Sequence, residues 1–290
     1  LRVHREREAF GTGRFCGSGK RKIHTNEKPH RHIRRKHTSK GSGPHPPGII
    51  ITFGLEISKC MITGIKVIGF DADDTLWVNE PYYREVEEQF VQLVSAYGVN
   101  GNIAATLFET EIANLRVYGY GIKAFMLSLV ECAISLTDGG VSTRDISRII
   151  GMGKAMLDRP IELLDDVMEV LKSLAPRYRL IVATKGDLLD QERKMHRSGI
   201  TEYFHHIEIM SDKKQKQYVQ LLKHLDIRPE AFLMIGNSLK SDIIPPLELG
   251  SWGIHVPYHT TWAHEEVDGE PDSERFFQVE HLHQVLDIIR

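Results

Sequence analysis

The stretch Lys66-Val67-Ile68-Gly69-Phe70-Asp71-Ala72-Asp73-Asp74-Thr75-Leu76-Trp77 decides the fold. Its short apolar run stops abruptly in three carboxylates within four residues. An apolar run of about five residues bounded by polar ones reads as a buried strand of a parallel sheet, and such sheets present ligands at the carboxyl ends of their strands. Asp71 and Asp73 are therefore expected at a strand mouth. Carboxylates this close repel one another unless a cation neutralises them, and an all-oxygen donor set suits Mg²⁺. A loop with an Asx turn is the plain structural alternative.

Three more apolar runs end in chemistry-bearing residues. A strand over 178–183 leads into Thr184-Lys185-Gly186-Asp187, where the hydroxyl taken alone is most often a helix cap. A strand over 204–210 leads into Ser211-Asp212-Lys213-Lys214, just ahead of a helix carrying Tyr218, Leu221, Leu222 and Leu225. Lys213 is preferred on its spacing to Tyr218, Lys214 is the close alternative, and a solvated basic cluster is the bland reading. Finally, a strand over 231–235 runs into Gly236-Asn237-Ser238-Leu239-Lys240-Ser241-Asp242, with an acidic residue five positions after Asn237.

Taken in chain order, these four stretches resemble the four motifs of the haloacid dehalogenase-like superfamily, and the likeness covers residues 66 to 256. It implies a three-layer, Rossmann-like α/β core with a parallel sheet and an inserted α-helical cap domain. In that superfamily a cap follows either motif I or motif II. Here about 110 residues separate Asp73 from Thr184 and only about 29 separate Thr184 from Lys213, so the cap belongs to the first type. The segment between is helical in pattern. Tyr82, Val86, Phe90, Leu93 and Tyr97 recur at helical spacing, as do Ile103, Leu107 and Leu115, then residues 125–136, then a shorter run through Ile146, Ile149 and Ile150. The expected organisation is a disordered basic arm and linker over 1–60, a catalytic core over 61–80 and 160–290, and a helical cap over 81–159. In the core, helices are expected from Pro160 to about 174 and from Glu280 to the end.

The chemistry this resemblance implies is hydrolysis of a small phosphate monoester through an aspartyl-phosphate. Asp71 is the implied nucleophile and Asp73 the general acid and base. Mg²⁺ would be held by Asp71, Asp242 and the backbone carbonyl of Asp73, with Asn237 supporting. Thr184, Lys185 and Lys213 would bind the phosphoryl group. Dehalogenation releases halide, which needs no proton donor, whereas a phosphate ester releases an alkoxide, which does; Asp73 thus favours a phosphatase over a dehalogenase. A phosphomutase is the enzymatic alternative, and an inert body with a nucleic-acid-binding arm the non-enzymatic one. The superfamily often has Asp where Asn237 stands and Gly where Asp74 stands. Asp74 is left open between touching metal, capping a turn and shaping the cap hinge.

Charge is unevenly spread. Residues 1–48 hold 13 Lys and Arg against 3 Asp and Glu, and the remainder holds 24 against 36. A basic arm could touch nucleic acid non-specifically, although an inert tail is the simpler expectation. Its sequence His24-Thr25-Asn26-Glu27-Lys28-Pro29 looks like a zinc-finger linker but lacks paired cysteines, and Gly17-Ser18-Gly19-Lys20 lacks the Ser or Thr of a phosphate loop. A natural start near Met61 is a further expectation. Cys16, Cys60 and Cys132 are too few and too scattered for a disulfide framework, which fits a cytoplasmic setting. The most apolar window, 49–70, is too interrupted by charge to span a membrane. Substrate identity and oligomeric state have no signal in the sequence.

Overall fold

The computed structural model describes residues 2–5 and 61–290. Within them seven parallel strands make one sheet: Arg2–Arg5 (β1), Val67–Phe70 (β2), Arg179–Lys185 (β3), His206–Met210 (β4), Phe232–Gly236 (β5), Trp252–His255 (β6) and Phe276–Gln278 (β7), ordered β1-β4-β3-β2-β5-β6-β7. The helices are Glu80–Ser95 (α1), Ile103–Tyr118 (α2), Ile122–Leu136 (α3), Thr143–Asp158 (α4), Val167–Leu174 (α5), Leu188–Arg197 (α6), Gln215–Leu225 (α7), Ile244–Glu248 (α8) and Val285–Ile288 (α9). From β2 the chain fills β3 and β4 on one side, then returns to place β5, β6 and β7 on the other. The order reverses at β2 and β5, so the crevice outside their carboxyl ends is where such a sheet binds ligands.

Side chains alternate across the sheet with period two. Ile68, Phe70, Leu180, Val182, Ile207, Ile209, Leu233 and Ile235 pack on one face with Val167, Val170 and Leu171 of α5. Val67, Ile181, Ala183, Met210, Phe232 and Met234 pack on the other with Tyr218, Leu221 and Leu222 of α7. Burial on both faces is why these strands read as continuous apolar runs. Gly69 is needed in the middle of β2, because a Cβ there would lie 2.8 Å from the Phe232 ring.

Helices α1 to α4 enclose an apolar cluster of their own, centred on Phe90, Leu129, Cys132 and Ile149, all fully buried. Asn102 and Ser142 cap α2 and α4 by accepting from the amides of Ala105 and Asp145, both at 3.1 Å. Gly119, at φ 73°, ends α2. The helix expected to be short, α4, runs 16 residues. The two passages joining this unit to the sheet lie side by side: Val78 N–H donates to Glu162 O and Leu164 N–H to Leu76 O, each at 3.0 Å. That pairing corrects the expectation of a helix from Pro160. Leu163 and Leu164 imitate helical spacing, but residues 161–164 are extended against the 76–78 passage, and α5 starts only at Val167.

Two further differences concern the ends. The closing segment is a 3₁₀ turn over Leu282–Gln284 followed by the single turn of α9, because Ile289 leaves the helix to bridge Ile62. Arg2–Arg5, expected to be unstructured, pairs with β4 from Arg2↔His206 to Arg5↔Ile209. The open edge of β4 offers a row of backbone donors and acceptors that an extended segment can satisfy. The rest of the arm, including its finger-linker-like and phosphate-loop-like stretches, lies outside the described residues. No helix among the described residues is long and apolar enough to cross a membrane.

Candidate active site

The four sequence stretches meet at the carboxyl rim of the sheet. Asp71 follows β2 directly, its N–H still donating to Ile235 O at 2.9 Å. Asp242 reaches the same point from the π-helical turn Leu239–Ile243 after β5. Between them stands Lys213, from the loop after β4. Its ammonium donates to Asp71 Oδ1 and, at 2.6 Å, to Asp242 Oδ1. Asp71, Lys213 and Asp242 are all buried. Gly236 makes room: a Cβ on it would collide with the Asp242 carboxylate. Lys214, by contrast, is exposed and pairs with Asp212 at 2.7 Å.

Electrostatics follow from this packing. Burial, reinforced by the Asp242 charge, pushes Asp71 up to about 7 even with Lys213 against it. Lys213 is driven upward despite its burial, because Asp242 and Asp71 both favour its charge. Opposite Lys213, one end of the Asn237 amide lies 3.2 Å from Asp71 Oδ2, 3.2 Å from Thr75 Oγ1 and 3.3 Å from the Asp73 carbonyl. With nitrogen at that end, Asn237 donates to all three. With oxygen there, a carboxylate, a carbonyl and an amide oxygen face one another, and an oxygen-seeking cation would satisfy them. The buried Asp242 carboxylate, which shares the Lys213 ammonium with Asp71, adds to an oxygen donor set that fits Mg²⁺.

Asp73 sends its carboxylate elsewhere and leaves only its carbonyl toward Asp71. Trp77 Nε1 donates to it at 2.7 Å, Gln191 Nε2 at 2.8 Å and Lys194 Nζ at 2.9 Å. Burial alone would raise this acid, but the Lys194 charge and the three hydrogen bonds outweigh burial and hold it below the ordinary carboxylate range. Asp74 takes a left-handed φ of 61°, which explains why glycine suits this position. Its carboxylate accepts from the amides of Asn79 (2.8 Å) and Glu80 (2.9 Å), so it ties the turn to the start of α1. Burial pushes it up to about 7.

Thr184 is buried near the end of β3, and Lys185 lies beside it. The Lys185 ammonium is already engaged, by Glu265 Oε1 at 2.6 Å and Ser241 Oγ at 2.9 Å, 4.4 Å from the centre of the Tyr120 ring. Lys185 and the hydroxyls of Ser238 and Ser241 hold Glu265 down at about 2 against its burial. The rim opens into a cavity that continues under the helical unit and is lined there by Tyr83, Glu111, Asn114, Phe125 and Ser128. Around the turn between α2 and α3, Tyr120 lines this cavity, whereas Tyr118 is exposed and bonded to Glu131, and Lys123 pairs with Asp187 at 2.8 Å.

Sequence reasoning missed Gln191, Lys194, Glu265, Ser238 and Ser241. In the structure α6 buries Asp190, Gln191 and Lys194 on its inward face, where apolar residues are expected. Glu265 sits in an irregular loop with no periodicity to expose it. His255, the last residue of β6, is hydrogen-bonded to Gln278 Oε1 at 2.7 Å and to the Asn237 carbonyl at 3.0 Å, which steadies the Asn237 turn.

Comparison with known proteins places this geometry. Residues 65–250 match the family model for haloacid dehalogenase-like hydrolases. A haloacid dehalogenase-like family hydrolase from Xanthomonas campestris is 38% identical, with 76% of this chain and 88% of that one covered and a TM-score of 0.69. A predicted phosphoglycolate phosphatase from Haemophilus somnus shares the fold at 17% identity (78% and 99% covered, TM-score 0.52). So does a 2-haloacid dehalogenase from Pseudomonas syringae pv. Tomato at 19% identity (77% and 97% covered, TM-score 0.52). No curated protein sequence matches. The chain belongs to the haloacid dehalogenase-like hydrolase family.

Proposed function

We propose that the protein is a Mg²⁺-dependent phosphatase of small phosphate monoesters. One observation carries this reading: two aspartates two residues apart are given opposite roles by their surroundings. Asp71 converges with Asp242 on Lys213 at the mouth of the sheet, whereas Asp73 faces the cavity side with proton-rich partners Lys194, Gln191 and Trp77. A nucleophile and a separate acid and base are what ester cleavage requires.

In this mechanism an Asp71 carboxylate oxygen attacks phosphorus, a new O–P bond forms, and the bond to the leaving oxygen breaks. Asp73 protonates that oxygen. The dianionic phosphoryl group entering beside Asp73 raises its proton affinity by like charge, which offsets the depression set by Lys194. Asp73 then takes a proton from water as that water attacks phosphorus and regenerates Asp71. Lys213 neutralises the nucleophile and the transferred group, and Thr184 with the amides after Asp71 holds the phosphoryl oxygens. Asp71, Asp242 and the Asp73 carbonyl, with Asn237, would hold Mg²⁺, which supplies charge neutralisation at the phosphoryl oxygens when bound. Lys185 reads as a support for the Glu265 loop that turns toward the phosphoryl group only on leaving Glu265.

Residues 81–159 act as the cap: the paired passages at 76–78 and 161–164 are its hinge, and its cavity wall of aromatic and polar side chains selects the leaving group. A small phosphorylated metabolite is the substrate class, and a reducing compartment such as the cytoplasm is the setting, in keeping with the buried free thiol of Cys132. Phosphate release from p-nitrophenyl phosphate and acetyl phosphate, with and without Mg²⁺, tests the reading. Asp71→Asn is expected to lower the rate roughly 10³-fold or more. Equal rates in both proteins would refute it, and accumulation of an isomeric phosphate instead of free phosphate would favour a mutase.

A further inference from the structure

A cluster of two histidines and a glutamate lies away from the Asp71–Lys213–Asp242 site. His206 and Glu208 are two residues apart on β4, so both point to the same face of the sheet, the one covered by α7. Met210, next on that face, packs in the apolar cluster with Tyr218 and Leu221 of α7. His206 and Glu208 thus occupy positions where this face otherwise buries hydrocarbon, and both are themselves buried. From α7, His224 comes to meet them in the helix's last turn, with its side chain 33% exposed.

The three ligand atoms lie within 4.8 Å of one another. His206 Nε2 is 2.7 Å from Glu208 Oε2, and His224 Nδ1 is 3.4 Å from the same oxygen. The two imidazoles meet edge to face, with centroids 4.9 Å apart and planes at 88°. Tetrahedral bonds of about 2.0–2.2 Å separate ligand atoms by roughly 3.3–3.5 Å. The His224–Glu208 separation already has that value, and the His206–Glu208 separation needs an increase of about 0.6 Å, within reach of side-chain torsions. The orientation of α7 helps as well, since the carbonyls of a helix's last turn favour a cation.

The geometry points to a zinc site formed by His206, Glu208 and His224, separate from the carboxylate site at the catalytic rim. The donor chemistry sorts the two ions. Two imidazoles and one carboxylate suit Zn²⁺, whereas the all-oxygen set around Asp71 and Asp242 suits Mg²⁺. The exposed edge of His224 gives the ion an entry path and leaves a coordination position for water. Bound there, Zn²⁺ fastens strand β4 to the end of helix α7. These two elements flank the loop that carries Lys213, so the ion clips the βα unit positioning that lysine and touches no reacting atom.

The test uses the full chain, stripped with EDTA and titrated with Zn²⁺ against a chromophoric chelator, with Co²⁺ absorption as a second readout. Because the chain has 15 histidines, the informative quantity is a difference between variants. Wild type and Asp71→Asn are expected to bind one more tight equivalent of Zn²⁺ than His224→Ala or Glu208→Gln, and to show Co²⁺ visible bands that those two variants lose. Zn²⁺ should raise the unfolding midpoint of wild type and not that of His224→Ala. His224 lies at the surface, so its removal leaves the fold intact, and circular dichroism checks this. If all four proteins bind equal amounts, the three residues are a hydrogen-bonded cluster only and the proposal fails. If the equivalent is lost in Asp71→Asn and kept in His224→Ala, the ion belongs to the catalytic rim and the proposal also fails.

Discussion

Asp71 and Asp73 are the same residue type and two positions apart, Asp71 buried and Asp73 partly exposed, yet their proton affinities move in opposite directions. The difference lies in the count of hydrogen-bond donors per carboxylate. Around Asp71, one ammonium serves two buried acids, so burial prevails and the carboxyl rises to about 7. Around Asp73, an ammonium, an amide and an indole N–H all donate to one carboxylate, even though Lys194 also lies 3.8 Å from Asp190, and burial is overcome. Neighbouring carboxylates are therefore differentiated by what remote helices and loops bring to them, with Lys213 and Lys194 as the two controls.

The comparison can be broken in order of expected effect. Asp73→Asn should lower phosphatase turnover by about 10²–10⁴-fold on alkyl phosphates. The loss should be much smaller on acetyl phosphate, whose leaving group needs no proton; equal losses on both substrates would remove Asp73 from the acid role. Lys213→Met leaves Asp71 and Asp242 buried without their shared cation, and urea unfolding should show a loss of roughly 3–5 kcal/mol. Added Mg²⁺ should recover part of that stability, and no recovery would count against a cation site among these oxygens. Lys194→Met removes the cation from Asp73, so the Asp73 pKa rises and the alkaline limb of the pH–rate profile on alkyl phosphates, where Asp73 must carry its proton, moves to higher pH; an unmoved limb would detach Lys194 from the acid.

The smallest effect sharpens the comparison at a third acid. Glu265 is held down at about 2 from an ordinary 4.5, so it contributes stability that is fully present above about pH 4.5 and is lost as pH falls toward 2. The stability difference between wild type and Glu265→Gln, followed by denaturant unfolding across pH, should be constant near neutrality and shrink through that window. A difference independent of pH would show that the Lys185–Glu265 pair is not what depresses the acid.

Much of the catalytic rim was legible because its parts repeat one local pattern, an apolar strand followed by a polar turn. That pattern marked Asp71, Thr184, Lys213 and Asn237 with Asp242. Lys194 and Gln191 were hidden because they sit on a helix, where a polar residue reads as solvent-facing until packing turns it inward. The false helix start at Pro160 has a similar cause: Leu163 and Leu164 keep helical spacing, but backbone pairing with residues 76–78 is available only once both passages are brought together.

Local sequence thus determined which strands are buried, where they stop, and which carboxylates and lysines stand at their ends, because strand periodicity and hydrophobic burial act over a few residues. Tertiary structure alone decided which acid meets a single donor, which gathers three, and that Asp74 closes the turn into α1. Those outcomes depend on charges and amides arriving from distant parts of the chain, and a buried carboxylate's proton affinity is set by such neighbours rather than by its own position in sequence.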